Sequence, residues 1–184
     1  MLTAKLIAYL SLMKKQTRLF WLVSAATIGW MLVMRPFTPG NIIEYEFART
    51  VEKAIEIFMD WGAGGVEKAK MSILLDFVFL ILYSWAISLG CKVVAGFAGS
   101  ARVSKIGLQL SRLVWIAGAC DLVENVSLLI AMHRLNNIVL ELAFWTAGIK
   151  FAIILVALLF ILVVTGIGLT KKILRPKEKD STPS

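Results

Sequence analysis

The sequence predicts an all-α integral membrane protein: a four-helix bundle with an outer-face amphipathic helix between spans one and two. Three observations predict it. First, 59% of the 184 residues are hydrophobic and the mean hydropathy is +0.80, where soluble domains run at about 45–50% apolar. Second, the apolar excess is gathered in four long runs, as a bilayer requires. Third, the basic residues, which give a net charge of +8, flank those runs as anionic lipids and topology demand.

Taken in order, the opening MLTAKLIAYLSLMKKQTR does not read as a cleaved signal. Its apolar stretch is short, meets Lys14-Lys15, and no small-residue cleavage site follows. It reads as a retained helix leading into the first span, about 19–34, which Arg35-Pro36 ends. Span two is about 72–90, span three about 110–132 and span four about 138–169, the last long enough to tilt. Between spans one and two, Phe47, Val51, Ala54, Ile55 and Phe58 recur at helical spacing, with Glu46, Lys53, Glu56 and Asp60 on the other side. This predicts an amphipathic helix over about 41–61, with Asn41 and Glu44 as a capping box and Gly62-Ala63-Gly64-Gly65 ending it. It would lie as a lid on the bundle ends or grip lipid. Residues 1–175 read as one membrane domain and 176–184, PKEKDSTPS, as a disordered cytoplasmic tail.

Flanking charge orients the spans. Lys5, Lys14, Lys15 and Arg18 precede span one, and Lys92, Arg102, Lys105 and Arg112 lie between spans two and three with no acid among them. Lys171, Lys172, Arg175, Lys177 and Lys179 follow span four. The segment between spans one and two carries six acids, so both termini are expected in the cytoplasm.

Against that apolar background four charges stand inside the runs: Asp76, Asp121, Glu124 and Lys150. Each costs about 2.5–3.5 kcal/mol at mid-bilayer on insertion scales. Asp121, Glu124 and Asn125 are spaced i, i+3, i+4 and share one helix face. Asp76 and Tyr83, seven apart, share another. Asp121 falls roughly 16 Å below the outer end of span three and Lys150 roughly 18 Å below that of span four. Matched depth on antiparallel neighbours predicts an Asp121–Lys150 pair. Tyr83 should reach the level of Asp121, and Glu124 has no named partner beyond a proton shared with Asp76. These six residues, Asp76, Tyr83, Asp121, Glu124, Asn125 and Lys150, form the expected ligand-binding column. No residue is singled out as catalytic.

Other features exclude more than they suggest. Cys91 and Cys120 lack dithiol or metal spacing, and His133 is the single histidine. No phosphate loop, Ser-His-Asp order or zinc spacing occurs, so no cofactor and no metal are expected. Four spans rather than seven argue against a retinal-type Schiff base at Lys150. No nucleic-acid motif accompanies the basic charge. Trp30, Trp61, Trp85, Trp115 and Trp145 read as interface anchors or packing. Ala25-x-x-x-Gly29 and Gly166-x-Gly168 would permit close helix contacts.

The stretch WGAGGVEKAKMSILLDFVFLILYSW followed by ACDLVENV resembles a group of small four-span membrane proteins of uncharacterised activity. The shared features are a Trp-Gly stretch before an Asp-bearing span and an Asp-x-x-Glu-Asn motif in the next, covering about 47–131. A fainter likeness is to the EXPERA bundle of emopamil-binding sterol isomerases, whose histidine and tryptophan pattern this chain lacks, so no catalytic role carries over. Three functions stay open. The column binds or transports a lipid-like or cationic amphiphile; Glu124 and Asp76 serve as acid and base of an intramembrane enzyme; or the chain is an accessory subunit of a larger membrane complex. The expected partners are membrane lipids, such an amphiphile, and a second copy or a partner membrane protein.

Overall fold

The computed structural model describes residues 2–173; the tail expected over 176–184 lies outside them. Five helices follow in order: α1 (Leu2–Met34), α2 (Ile42–Glu46), α3 (Val51–Phe97), α4 (Ala101–His133) and α5 (Asn137–Ile173), with a 3-10 turn over Arg35–Phe37 after α1. No strand occurs among the described residues. Four helices are long and apolar enough to cross a bilayer: Met13–Phe37, Val51–Phe97, Ala101–His133 and Asn137–Gly168. The chain is therefore an all-α membrane bundle. Helix α4 packs between α3 and α5, and α1 lies along α3.

The helices outrun the expected spans because an apolar run marks the lipid-facing stretch, whereas hydrogen bonding extends a helix until a breaker. Nothing between Leu2 and Arg35 breaks α1, so Lys14, Lys15 and Arg18 are helical. Glu67, Lys68 and Lys70 likewise continue α3 well before Ser72. The three-residue connection 98–100 leaves Arg102, Lys105 and Arg112 on α4 rather than in a loop.

The expected helix over 41–61 is corrected. A short α2 ends at Glu46, the chain turns through 47–50, and α3 begins at Val51 with Thr50 capping Lys53 N at 3.3 Å. No capping box forms at Asn41; its side chain instead accepts the Trp61 Nε1–H bond. The remaining arm, 51–61, ends at Gly62, whose φ of 60° and ψ of 178° lie in a region open to glycine almost alone. Past this corner, 63–97 runs down the bundle. The arm packs as a lid: Ala54 and Ile57 are buried with Tyr45, Ala48, Ile73, Leu128, Ala131, Leu140 and Ala143. The end that bears it is called the lid end below, and the opposite end the basic end.

Toward the basic end α3 and α4 meet along a seam of small residues repeating at intervals of four and three. Ser84, Ser88, Cys91 and Ala95 on α3 run against Gly107, Ser111, Val114 and Gly118 on α4, all buried. Without lipid-driven association, such close backbone approach is what holds membrane helices together. A Cβ at Gly118 would meet Ser84 Oγ at 2.5 Å, and one at Gly107 would meet Ala95 Cβ at 2.8 Å. Ser88 Oγ donates to Ser111 O at 2.7 Å. The other proposed small-residue contacts do not form, since nothing lies within 4 Å of a Cβ built at Gly29, Gly166 or Gly168. Among the tryptophans, Trp30 ties α1 to α3 by donating to Leu75 O at 3.0 Å, whereas Trp85, Trp115 and Trp145 are exposed.

Two substitutions separate corner strain from crowding. Gly62→Ala should cost about 1–3 kcal/mol, because only the backbone angle opposes it, whereas Gly64→Ala, helical and equally unobstructed, should leave stability unchanged or raise it. Thermal unfolding in detergent reads the difference, and equal melting temperatures would remove the lid corner. In the same assay Gly118→Val should destabilise by about 1–3 kcal/mol through overpacking, and Gly166→Val should not.

Candidate functional site

Above the small-residue seam the same faces of α3 and α4 turn polar. Continuing the spacing, α4 presents Gly118, Asp121, Asn125 and Leu128, and α3 presents Ser84, Leu80 and Asp76. The register is direct. Tyr83 Oη donates to Asp121 Oδ2 at 2.8 Å, and one step toward the lid Asn125 Nδ2 donates to Asp76 Oδ2 at 2.7 Å. These two bonds pin α3 to α4 at the height where the glycines stop.

Helix α5 brings the cation. Lys150 Nζ donates to Asp121 Oδ1 at 3.0 Å, the pair expected from matched depth. Both residues lie roughly 18–20 Å from the lid ends of their helices. The ammonium also donates to Glu124 Oε1 at 2.9 Å and sits 2.8 Å from Oε2, so it faces both oxygens of that carboxylate. Glu124 is thus partnered by Lys150, not by Asp76, which corrects the proton-sharing pair. Lys150 answers two carboxylates on one face of α4 because Asp121 and Glu124 are one turn apart.

A third carboxylate was missed. Glu46 Oε2 lies 3.8 Å from Lys150 Nζ and is buried. Spacing placed Glu46 on the polar side of a surface helix; the break at 47–50 instead tucks α2 inward. Tyr45 beside it is fully buried and donates to Leu128 O at 2.9 Å. Phe47 stacks on Phe151 at 5.8 Å, so two consecutive residues, Glu46-Phe47, meet two others, Lys150-Phe151. The sequence signal was Tyr-Glu-Phe, a lone acid between aromatic side chains that favour burial.

The site therefore gathers Glu46, Asp121 and Glu124 around one ammonium, with Asp76 a step aside on Asn125, among the described residues. Asp121 and Glu124 are 2% and 0% exposed, and Asp76 alone of the four spanning charges is only half-buried. Glu46 Oε2 and Glu124 Oε2 are both buried and face the same ammonium, at 3.8 and 2.8 Å. Burial pushes the Glu46 carboxyl above the usual carboxylate range, against the pull of the Lys150 ammonium. Fully ionised, four acids and one lysine would leave three negative charges in a low-dielectric interior. They must be offset by protons or by a further cation. At the lid rim, Arg49 and Glu141 pair at 2.6 Å with both side chains about half exposed, and Val51 N donates to Asn137 Oδ1 at 2.7 Å.

Compared with known protein families, curated proteins and solved structures, the chain matches none. Fold and site define a class all the same: a multi-pass helical membrane protein with a closed ionic cluster beneath a lid.

A double-mutant cycle measures the cluster. Asp121→Asn and Lys150→Gln should each destabilise strongly, at about 3–5 kcal/mol for a broken buried pair. Together they should cost less than their sum, with a coupling of about 0.5–3 kcal/mol. Glu141→Gln at the exposed pair should leave stability nearly unchanged. Additive behaviour of Asp121 and Lys150 in chemical or thermal unfolding would dissolve the pair.

Proposed function

We propose that this membrane protein binds the positive group of a cationic amphiphile at the intramembrane carboxylate cluster, in exchange for protons. The observation that carries this reading is the surplus of acid: the Glu46, Asp121 and Glu124 carboxylates lie within 3.8 Å of one ammonium, and Asp76 adds a fourth acid bonded to Asn125 on the same face of α4. A network serving register alone needs no such excess, because one ion pair or one Asn suffices. In this reading Lys150 is a tethered cation that holds the site when it is empty. Asp76, half-buried at the edge of the column, is the first acid an incoming cation meets. The lid lies over the outer leaflet, both termini are cytoplasmic, and the ligand enters from the lid side of the bilayer.

Enzyme chemistry is less well supported. Asp76 is bonded to Asn125 and Glu124 to Lys150, so the two proposed catalytic acids face different neighbours rather than one substrate atom. The accessory-subunit reading draws on one observation, the broad exposure of Leu155, Val156, Leu159, Leu162 and Val163 on α5.

Tetraphenylphosphonium tests the proposal, since it carries a permanent charge and no proton of its own. Equilibrium dialysis of the detergent-solubilised protein should show saturable binding that strengthens with pH. The sign follows from competition for the same carboxylates, at about tenfold per pH unit for each proton displaced. Asp76→Asn, which keeps the shape, should weaken binding at least about tenfold, and Glu124→Gln should do the same. No saturable binding, or a flat pH profile with unchanged variants, would leave the cluster a purely structural feature and favour the subunit reading.

A further inference from the structure

The basic end carries a second feature that the cluster does not use. The sequence has no acid before Glu44, none between Asp76 and Asp121, and none from Leu142 to Pro176. Among the described residues, the cations at the basic end are therefore without an internal counter-charge. Lys14 and Arg18 stand one helical turn apart on α1, both exposed. They border a groove of about 460 Å³ whose other walls are Met13, Thr17 and Trp21 of α1 and Phe97 at the end of α3. On the other flank of the same two cations lies a second depression of about 390 Å³, lined by Ser11, Lys15, Leu19 and Leu22. Trp21 and Phe97 are 67% and 70% exposed. Aromatic and aliphatic walls on both sides of a cation pair, at the end of a span, suit a molecule with a negative head and two apolar chains. The volume is that of a small-ligand site.

We propose that Lys14 and Arg18, walled by Trp21 and Phe97, form a binding site for the phosphate-bearing headgroup of an anionic phospholipid. Arg18 offers a planar fork and Lys14 a point charge to one phosphate. The flanking depressions receive the first carbons of the acyl chains. Thr17, between the two cations on the groove wall, donates its hydroxyl to Met13 O at 2.9 Å, which leaves the headgroup to the two cations. This site is independent of the carboxylate cluster, which lies in the lid half of the bundle.

The full-length protein is reconstituted into dioleoyl-phosphatidylcholine vesicles containing rising fractions of dibrominated phosphatidylglycerol, and quenching of tryptophan fluorescence is followed. Comparison with Trp21→Phe isolates the Trp21 signal. Trp21 quenching should saturate at a lower fraction of brominated phosphatidylglycerol than of brominated phosphatidylcholine. Lys14→Gln with Arg18→Gln should abolish that preference, a loss of at least about tenfold at roughly fivefold per basic residue. Arg102→Gln with Lys105→Gln removes the same charge from exposed positions on α4 and should leave the preference intact. Equal loss in both double variants would replace the site by a diffuse field. Competition by millimolar inorganic phosphate would overturn the lipid as the source of the headgroup.

Discussion

The fold is organised around an ammonium taken out of water. Lys150 sits in the most apolar helix of the chain, where its charge would be untenable unless acids came to it. Asp121 and Glu124 do so from one face of α4, and Glu46 does so from the lid side. Three segments distant in sequence are thereby held to one point. This constraint fixes the rotation of α4 and α5 about their axes, because turning either by a quarter would push a charge into lipid. Helix α3 is then set against α4 by two further bonds, Tyr83 to Asp121 and Asn125 to Asp76, so the ionic centre specifies the whole of the lid half.

The basic half is held differently. There the α3–α4 interface has no charge and relies on close approach at Gly107 and Gly118 and on Ser88 donating to Ser111. Both halves use the same repeat of small or polar residues along α3 and α4. A single register therefore satisfies glycine packing at one end and hydrogen bonding at the other. Agreement between two independent sets of contacts is what gives a sequence one structure rather than several.

Much of this was legible in the residues. Hydropathy located the four spans, and the i, i+3, i+4 spacing put Asp121, Glu124 and Asn125 on one inward face. Depth counting paired Asp121 with Lys150 and set Tyr83 level with Asp121, all now seen as contacts. Glu46 was not legible, because helical periodicity across 41–61 is satisfied equally by one surface helix and by two pieces with a turn between. The choice is made by burial of Tyr45 and stacking of Phe47 on Phe151, a tertiary effect that local spacing does not encode. The break at Gly62 was signalled by its glycines, but its direction was not. The small-residue seam is hard to see in the sequence because serine, cysteine and alanine serve it alongside glycine, whereas the evident small-residue motifs fall at Gly29 and Gly166, where an added Cβ would meet nothing within 4 Å.

The lid and the ionic centre are parts of one device. Tyr45 is bonded to α4, Glu46 faces Lys150, Phe47 stacks on α5, and Arg49 and Val51 are tied to Glu141 and Asn137. Raising the lid must withdraw Glu46 from the ammonium, and adding a proton to Glu46 must weaken its hold on Lys150. Proton occupancy and lid position are thus thermodynamically linked, whichever moves first. Burial in the closed site raises the proton affinity of Glu46 despite the Lys150 ammonium, so protons favour closure and rising pH favours release of the lid. A cation entering by way of Asp76 would compete with both protons and Lys150 for the same acids. The centre that fixes the fold is therefore also the point at which the lid segment, α4 and α5 are joined.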